Sequence, residues 1–150
     1  GKGLGGGMPI GAFTASKEMM DSLSDHPKLG HITTFGGHPV IAASALATLE
    51  EITSSNLIPE TLEKETLIRK HLQHPLIKEL RGKGLMLAMM VDTPEIANKV
   101  VLQSKEKGLI LFWLLYEPKA IRISPPLTIS KEEIIIGCKI ILNILNSIKI

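Results

Sequence analysis

The longest uninterrupted apolar run in the chain, Leu109 to Tyr116, limits its possible folds more than any other feature. A membrane-crossing helix needs about 18 or more consecutive apolar residues, and this run falls well short. It reads as a strand buried on both faces. Its neighbours supply the rest of a layered domain. Ala120–Ile123 is a second strand, stopped by Pro125 and Pro126, and Ser130 with Glu133 forms a capping box that opens a final helix through about Ser147. Upstream, Pro59 starts a helix predicted to run to about Leu80, with Leu62, Leu67, Ile68, Leu72 and Leu76 at helical spacing and Pro75 bending it. Gly82-Lys83-Gly84 then turns the chain into an apolar strand, Leu85–Val91. Asp92 and Glu95 form a second capping box for a helix holding Val100, Val101 and Leu102, which Lys107 and Gly108 end. From residue 54 onward the expected order is helix, strand, helix, strand, strand, helix. That order predicts a small α/β domain with helices packed on one sheet.

The first third reads differently. After a glycine-rich opening, Gly11–Ala15 is consistent with a strand, and Ser16 caps a short helix over 17–23. Asp25 to Gly30 is turn chemistry. Gly36-Gly37-His38-Pro39 sets up a helix with His38 near the cap and Pro39 at its first position, where a missing N–H costs nothing. The helix body, 40–52, is apolar nearly all round, as a helix buried between layers is. Ser54-Ser55-Asn56 is a linker. The sequence thus divides into 1–52 and 53–150.

Several function classes drop out on composition. The chain has 17 basic and 15 acidic residues, no long run of one sign, and 3% aromatic residues. It therefore lacks both the basic footprint and the stacking platforms of nucleic-acid binders. The single cysteine, Cys138, sits in an apolar stretch and reads as a buried, inert thiol in a reducing compartment, which points to the cytoplasm. Five histidines form no ligand set, since His71 and His74 have no third partner at a recognisable spacing. No metal is expected, and no membrane partner. The glycine-rich opening is neither a Walker loop nor a dinucleotide fingerprint; it signals either close backbone approach or a flexible turn.

Four segments, in order, carry a family resemblance. Gly1-Lys2-Gly3-Leu4-Gly5-Gly6-Gly7-Met8-Pro9-Ile10-Gly11-Ala12 resembles the cofactor-lysine segment of class III aminotransferases, the group of acetylornithine, ornithine and 4-aminobutyrate aminotransferases. Thr33-Thr34-Phe35-Gly36-Gly37-His38-Pro39 resembles that family's Thr-Phe-Gly-Gly-Asn-Pro segment, departing at His38. Arg81-Gly82-Lys83-Gly84-Leu85-Met86 is similar to its Arg-Gly-x-Gly-Leu-Met turn, and Ile121-Arg122-Ile123-Ser124-Pro125-Pro126-Leu127 to its Arg-x-x-Pro-Pro-Leu strand end.

The resemblance implies a fold-type I transferase dependent on pyridoxal 5'-phosphate (PLP). Residues 1–52 would then be the end of its large cofactor domain and 53–150 its small α/β domain. The chain is expected to be a C-terminal portion beginning one residue before the cofactor lysine, because native chains rarely start inside a glycine loop. Lys2 matches the lysine that holds the cofactor and shuttles the proton. Thr34 matches a threonine that reaches the phosphate of the neighbouring subunit, which makes a homodimer the expected partner arrangement. Arg122 matches the arginine that takes the α-carboxylate of 2-oxoglutarate or glutamate, while Arg81 reads as structural. The expected substrates are small molecules, an amino-acid or ω-amine donor and a 2-oxo acid, and the portion alone is expected to be inactive. A related PLP enzyme, such as an aminomutase or a dialkylglycine decarboxylase, and a non-catalytic domain stay open as alternatives.

Overall fold

A computed structural model describes residues 2–24, 26–28 and 30–148. The chain falls into two compact units, residues 1–55 and 56–150.

In the first unit the opening glycines form a 3₁₀ turn, Gly3–Gly5, followed by helices α1, Lys17–Asp21, and α2, Pro39–Ser54. Ser16 caps α1 as its sequence position predicts, its Oγ accepting the Met19 N–H at 3.3 Å. His38 is the N-cap residue of α2 and Pro39 its first residue, but no side-chain bond completes the cap. Two expectations fail here. Residues 11–15 form no strand. An extended segment with no neighbouring strand leaves its backbone groups unpaired, and the four-stranded sheet of this chain lies wholly in the second unit. Nor is α2 buried: of its residues only Ala45 is, while Val40 and Leu46 are each 57% exposed. Among the described elements, only the 3₁₀ turn contacts it.

The second unit holds α3, Leu57–His71; β1, Ile77–Lys83; β2, Met86–Val91; α4, Pro94–Glu106; β3, Phe112–Leu114; β4, Glu117–Ile123; and α5, Lys131–Asn146. The strands make one antiparallel sheet in the order β1-β2-β4-β3. Alternation puts Leu87, Met89, Ile121 and Ile123 on the face that meets the core, where Ile68 of α3 and its C-cap Leu72, Val100 and Val101 of α4, and Ile134, Cys138, Ile141 and Ile144 of α5 join them.

The helix predicted from 59 to 80 ends early. Leu72 caps α3, the chain turns at His74–Pro75, and residues from Ile77 pair with β2 instead. Proline removes the donor that a continuing helix needs, and the strand recovers those bonds across the hairpin. Leu76 is buried as its spacing suggests, whereas Leu62 is 53% exposed. The run at 109–116 also departs from expectation. Only Phe112–Leu114 is a strand, it lies at the sheet edge, and Leu115 and Tyr116 are 92% and 97% exposed. Its apolar residues divide between the core, which takes Leu111, and the surface. The cap of α4 is Thr93, whose Oγ1 accepts the Ile96 N–H at 3.4 Å, and Asp92 pairs instead with Lys78 at 2.9 Å. The capping box of α5 forms with both of its hydrogen bonds.

Side chains from α3 fix the hairpin and the segment that follows β4. Arg69 donates to the carbonyls of Leu80 at 2.6 Å and Gly82 at 3.0 Å, and its Nε donates to Glu65 at 2.8 Å. Glu65 also accepts the Gly84 N–H. That backbone donor first, and Arg69 second, hold the Glu65 carboxyl below the usual carboxylate range. Gly82 has φ of +107°, and a Cβ there would run into the Met86 carbonyl oxygen. The buried Lys64 donates to the Leu127 carbonyl at 2.6 Å and pairs with Glu60 at 3.0 Å. No helix among the described residues is long and apolar enough to cross a membrane.

Candidate active site

The glycine opening is a close approach rather than a loose turn. Ser44 of α2 donates to the Gly5 carbonyl at 2.7 Å, and Gly6 N–H returns to the Gly3 carbonyl at 3.0 Å. Gly6 adopts φ of +56°, and a Cβ there would overlap Thr48 Oγ1. Only glycine lets the chain lie this near α2. Lys2 is the residue that enters the turn, in extended backbone, exposed and in no ion pair among the described residues.

Thr34 lies in the turn leading to α2. Gly36 N–H donates to the Thr33 carbonyl at 3.0 Å, Gly37 has φ of +71°, and His38 N–H donates to the Phe35 carbonyl at 3.2 Å. The His38 ring lies tilted against Phe35, centroids 6.4 Å apart. A cavity of about 190 Å³ joins the two segments, with Pro9, Ile10 and Gly11 from one and Thr33, Phe35, Gly36, Gly37 and His38 from the other. Neither Lys2 nor Thr34 lines it. Both are exposed, and the donor chemistry suits PLP: a lysine amine for an aldehyde, and a hydroxyl beside the N-terminus of a 16-residue helix for a phosphate.

Arg122 belongs to the second unit. Ile121 and Ile123 are buried, so alternation turns Arg122 to the other face, where it is exposed. Its guanidinium carbon lies 4.7 Å from the centroid of the Phe112 ring, and among the described residues it forms no ion pair. A cavity of about 350 Å³ has Phe112, Arg122 and Ser124 and, from α5, Ile134, Cys138 and Ile141 among its lining residues. Burial pushes the Cys138 thiol up to about 11, so it stays protonated at neutral pH. Arg81 is exposed and pairs with Glu79 at 2.7 Å. His74 shares a 3.2 Å contact with Asn146, and no metal-binding cluster occurs among the described residues.

Three contributors escaped the sequence reading. Lys64 had a signal, since it lies four and eight residues before Ile68 and Leu72 and so shares their inward stripe. Ser44 and Phe112 had none, because each acts on a residue distant in sequence.

Residues 1–145 match the family description "Aminotransferase class-III". Over 153 aligned residues the chain is 37% identical to the acetylornithine aminotransferase of Caldanaerobacter subterraneus subsp. tengcongensis, covering 99% of this chain and 37% of that protein. It is 40% identical over 146 residues to the leucine/methionine racemase of Thermococcus litoralis, covering 89% of this chain and 32% of that one. Among solved structures, the acetylornithine aminotransferase from Elizabethkingia anophelis superposes with a TM-score of 0.70 at 31% identity, over 79% of this chain and 32% of that chain. The chain belongs to the class III aminotransferases, a PLP-dependent family of the fold-type I architecture. It spans about a third of the length of the relatives it matches.

Proposed function

We propose that this chain carries part of the active site of a PLP-dependent aminotransferase, which moves an amino group from an amino-acid or ω-amine donor to a 2-oxo acid such as 2-oxoglutarate. The observation that carries this reading is the family match across residues 1–145, which spans Lys2, Thr34 and Arg122. Residues 1–52 then belong to the large cofactor domain and 53–150 to the small one.

When bound, PLP supplies an aldehyde that reacts with amines and a ring that withdraws electrons from the substrate carbon. Lys2 would hold it through the side-chain amine, and the same amine would carry a proton to and from the substrate carbon. Thr34 offers its hydroxyl to the phosphate of the neighbouring subunit, which makes a homodimer part of the site. Arg122 presents two parallel N–H groups to a substrate carboxylate and so fixes which end of the substrate faces the chemistry. Because the chain spans about a third of the length of its relatives, we propose that the 150 residues alone do not transaminate and that the whole protein works in the cytoplasm.

The test is Lys2→Ala in the whole protein loaded with PLP. Turnover should fall by about 10²- to 10⁴-fold or more, the scale of a positioned proton carrier, with loss of the visible absorbance of lysine-bound cofactor and an unchanged circular dichroism spectrum. Substantial amino transfer in the variant would remove Lys2 from its role. Because a racemase is among the relatives, the assay also follows the enantiomers of the donor; racemisation without amino transfer would replace the aminotransferase reading.

A further inference from the structure

Antiparallel register places four side chains in one row across the sheet face opposite Leu87, Met89, Ile121 and Ile123. Arg81 of β1 is opposite Ala88 of β2, Ala88 opposite Arg122 of β4, and Arg122 opposite Phe112 of β3. Residues directly opposite in such pairs share a face and stand within reach of one another. Arg122 therefore has two lateral neighbours in its row. Ala88 offers only a methyl group, with nothing to bond or stack on. Phe112 offers an aromatic face, and the guanidinium carbon lies 4.7 Å from its centroid. Among the described residues no carboxylate pairs with Arg122, and the guanidinium lies over the Phe112 ring instead. A stacked guanidinium keeps its in-plane donors for a ligand, whereas an ion-paired one surrenders them.

We infer that Phe112 is a positioning residue for Arg122: it stacks on the guanidinium and aims the donor edge for carboxylate capture. This rests on the proposed role of Arg122 and extends it to a residue of the edge strand. Phe112 is half-exposed and closes no part of the buried core cluster, so replacing it tests orientation rather than folding.

The experiment uses single-turnover kinetics of both half-reactions in the whole PLP-loaded protein, with 2-oxoglutarate and with an amine lacking an α-carboxylate, in Phe112→Leu, Phe112→Trp and Arg122→Lys. Phe112→Leu keeps apolar bulk and loses the ring. It should weaken apparent 2-oxoglutarate binding about two- to fivefold, the scale of an exposed cation–π contact, with the maximal rate and the amine half-reaction unchanged. Phe112→Trp should restore wild-type binding, because it keeps the aromatic face. Equal losses in both half-reactions, or no rescue by Phe112→Trp, would overturn the positioning role. If Arg122→Lys weakens 2-oxoglutarate binding while Phe112→Leu does not, the inference fails and the Arg122 reading stands. If Arg122→Lys has no effect, both fall.

Discussion

The two units of this chain reverse the usual relation between apolar sequence and burial. In residues 1–55, α2 is the most apolar long stretch, yet among the described residues of that unit only Gly5 and Ala45 are buried. In residues 56–150, α3 is rich in charge, yet its Ile68 and its C-cap Leu72 are 3% and 1% exposed and even Lys64 is buried. The second unit closes its own core; the first holds together through turns and a few hydrogen bonds. Hydrophobic composition states how much surface a segment must hide, whereas the pattern of neighbours decides whether this chain hides it.

That contrast gives a graded series of tests. The largest effect should come from Leu72→Ala, which empties a fully packed site and should lower stability by about 2 to 5 kcal/mol in denaturant unfolding. A loss below 1 kcal/mol would mean the second unit is far looser than its burial indicates. Gly82→Ala should follow at about 1 to 3 kcal/mol or more, since the new Cβ meets backbone and φ is strained for any other residue. Glu65→Gln should cost about 1.5 to 3 kcal/mol at neutral pH through its charge-assisted bonds to Gly84 and Arg69. The sign with pH is fixed by the lowered carboxyl: wild type gains this stability above the ordinary carboxylate pKa and loses it as pH falls through the folded value, and the Gln variant should lack that slope. Smallest of all, Leu46→Ala on α2 should change stability by less than about 0.5 kcal/mol in this chain. In the whole protein, a cost of 2 kcal/mol or more for the same change would show that other parts of the molecule cover α2.

Local chemistry explains which features the sequence revealed. The caps at Ser16 and Ser130, Pro39 at the start of α2 and the end of α4 at Gly108 depend on residues within one turn, and all appear where the sequence puts them. Misreadings arose where a distant partner decides. Ile77–Lys83 reads partly as helix in the sequence because its strand character comes from β2, and the 109–116 run reads as buried because nothing in its composition marks the edge of a sheet. The candidate residues Lys2, Thr34 and Arg122 came from resemblance to a family, not from spacing. Their surroundings, Ser44 under the glycine turn and Phe112 beside the arginine, required the fold.

The bond from Ser44 to the Gly5 carbonyl ties a residue on the second turn of α2 to the strand of backbone that leaves Lys2. It acts as a fixed gauge length: the amine's reach is counted from a point on the helix only three residues away along the opening. Sliding α2 by one residue would move that reference by about 1.5 Å along the helix axis and rotate it about a quarter turn, so insertions or deletions between residues 7 and 43 must spare the phase of the helix even where their own loop sequence is free to drift.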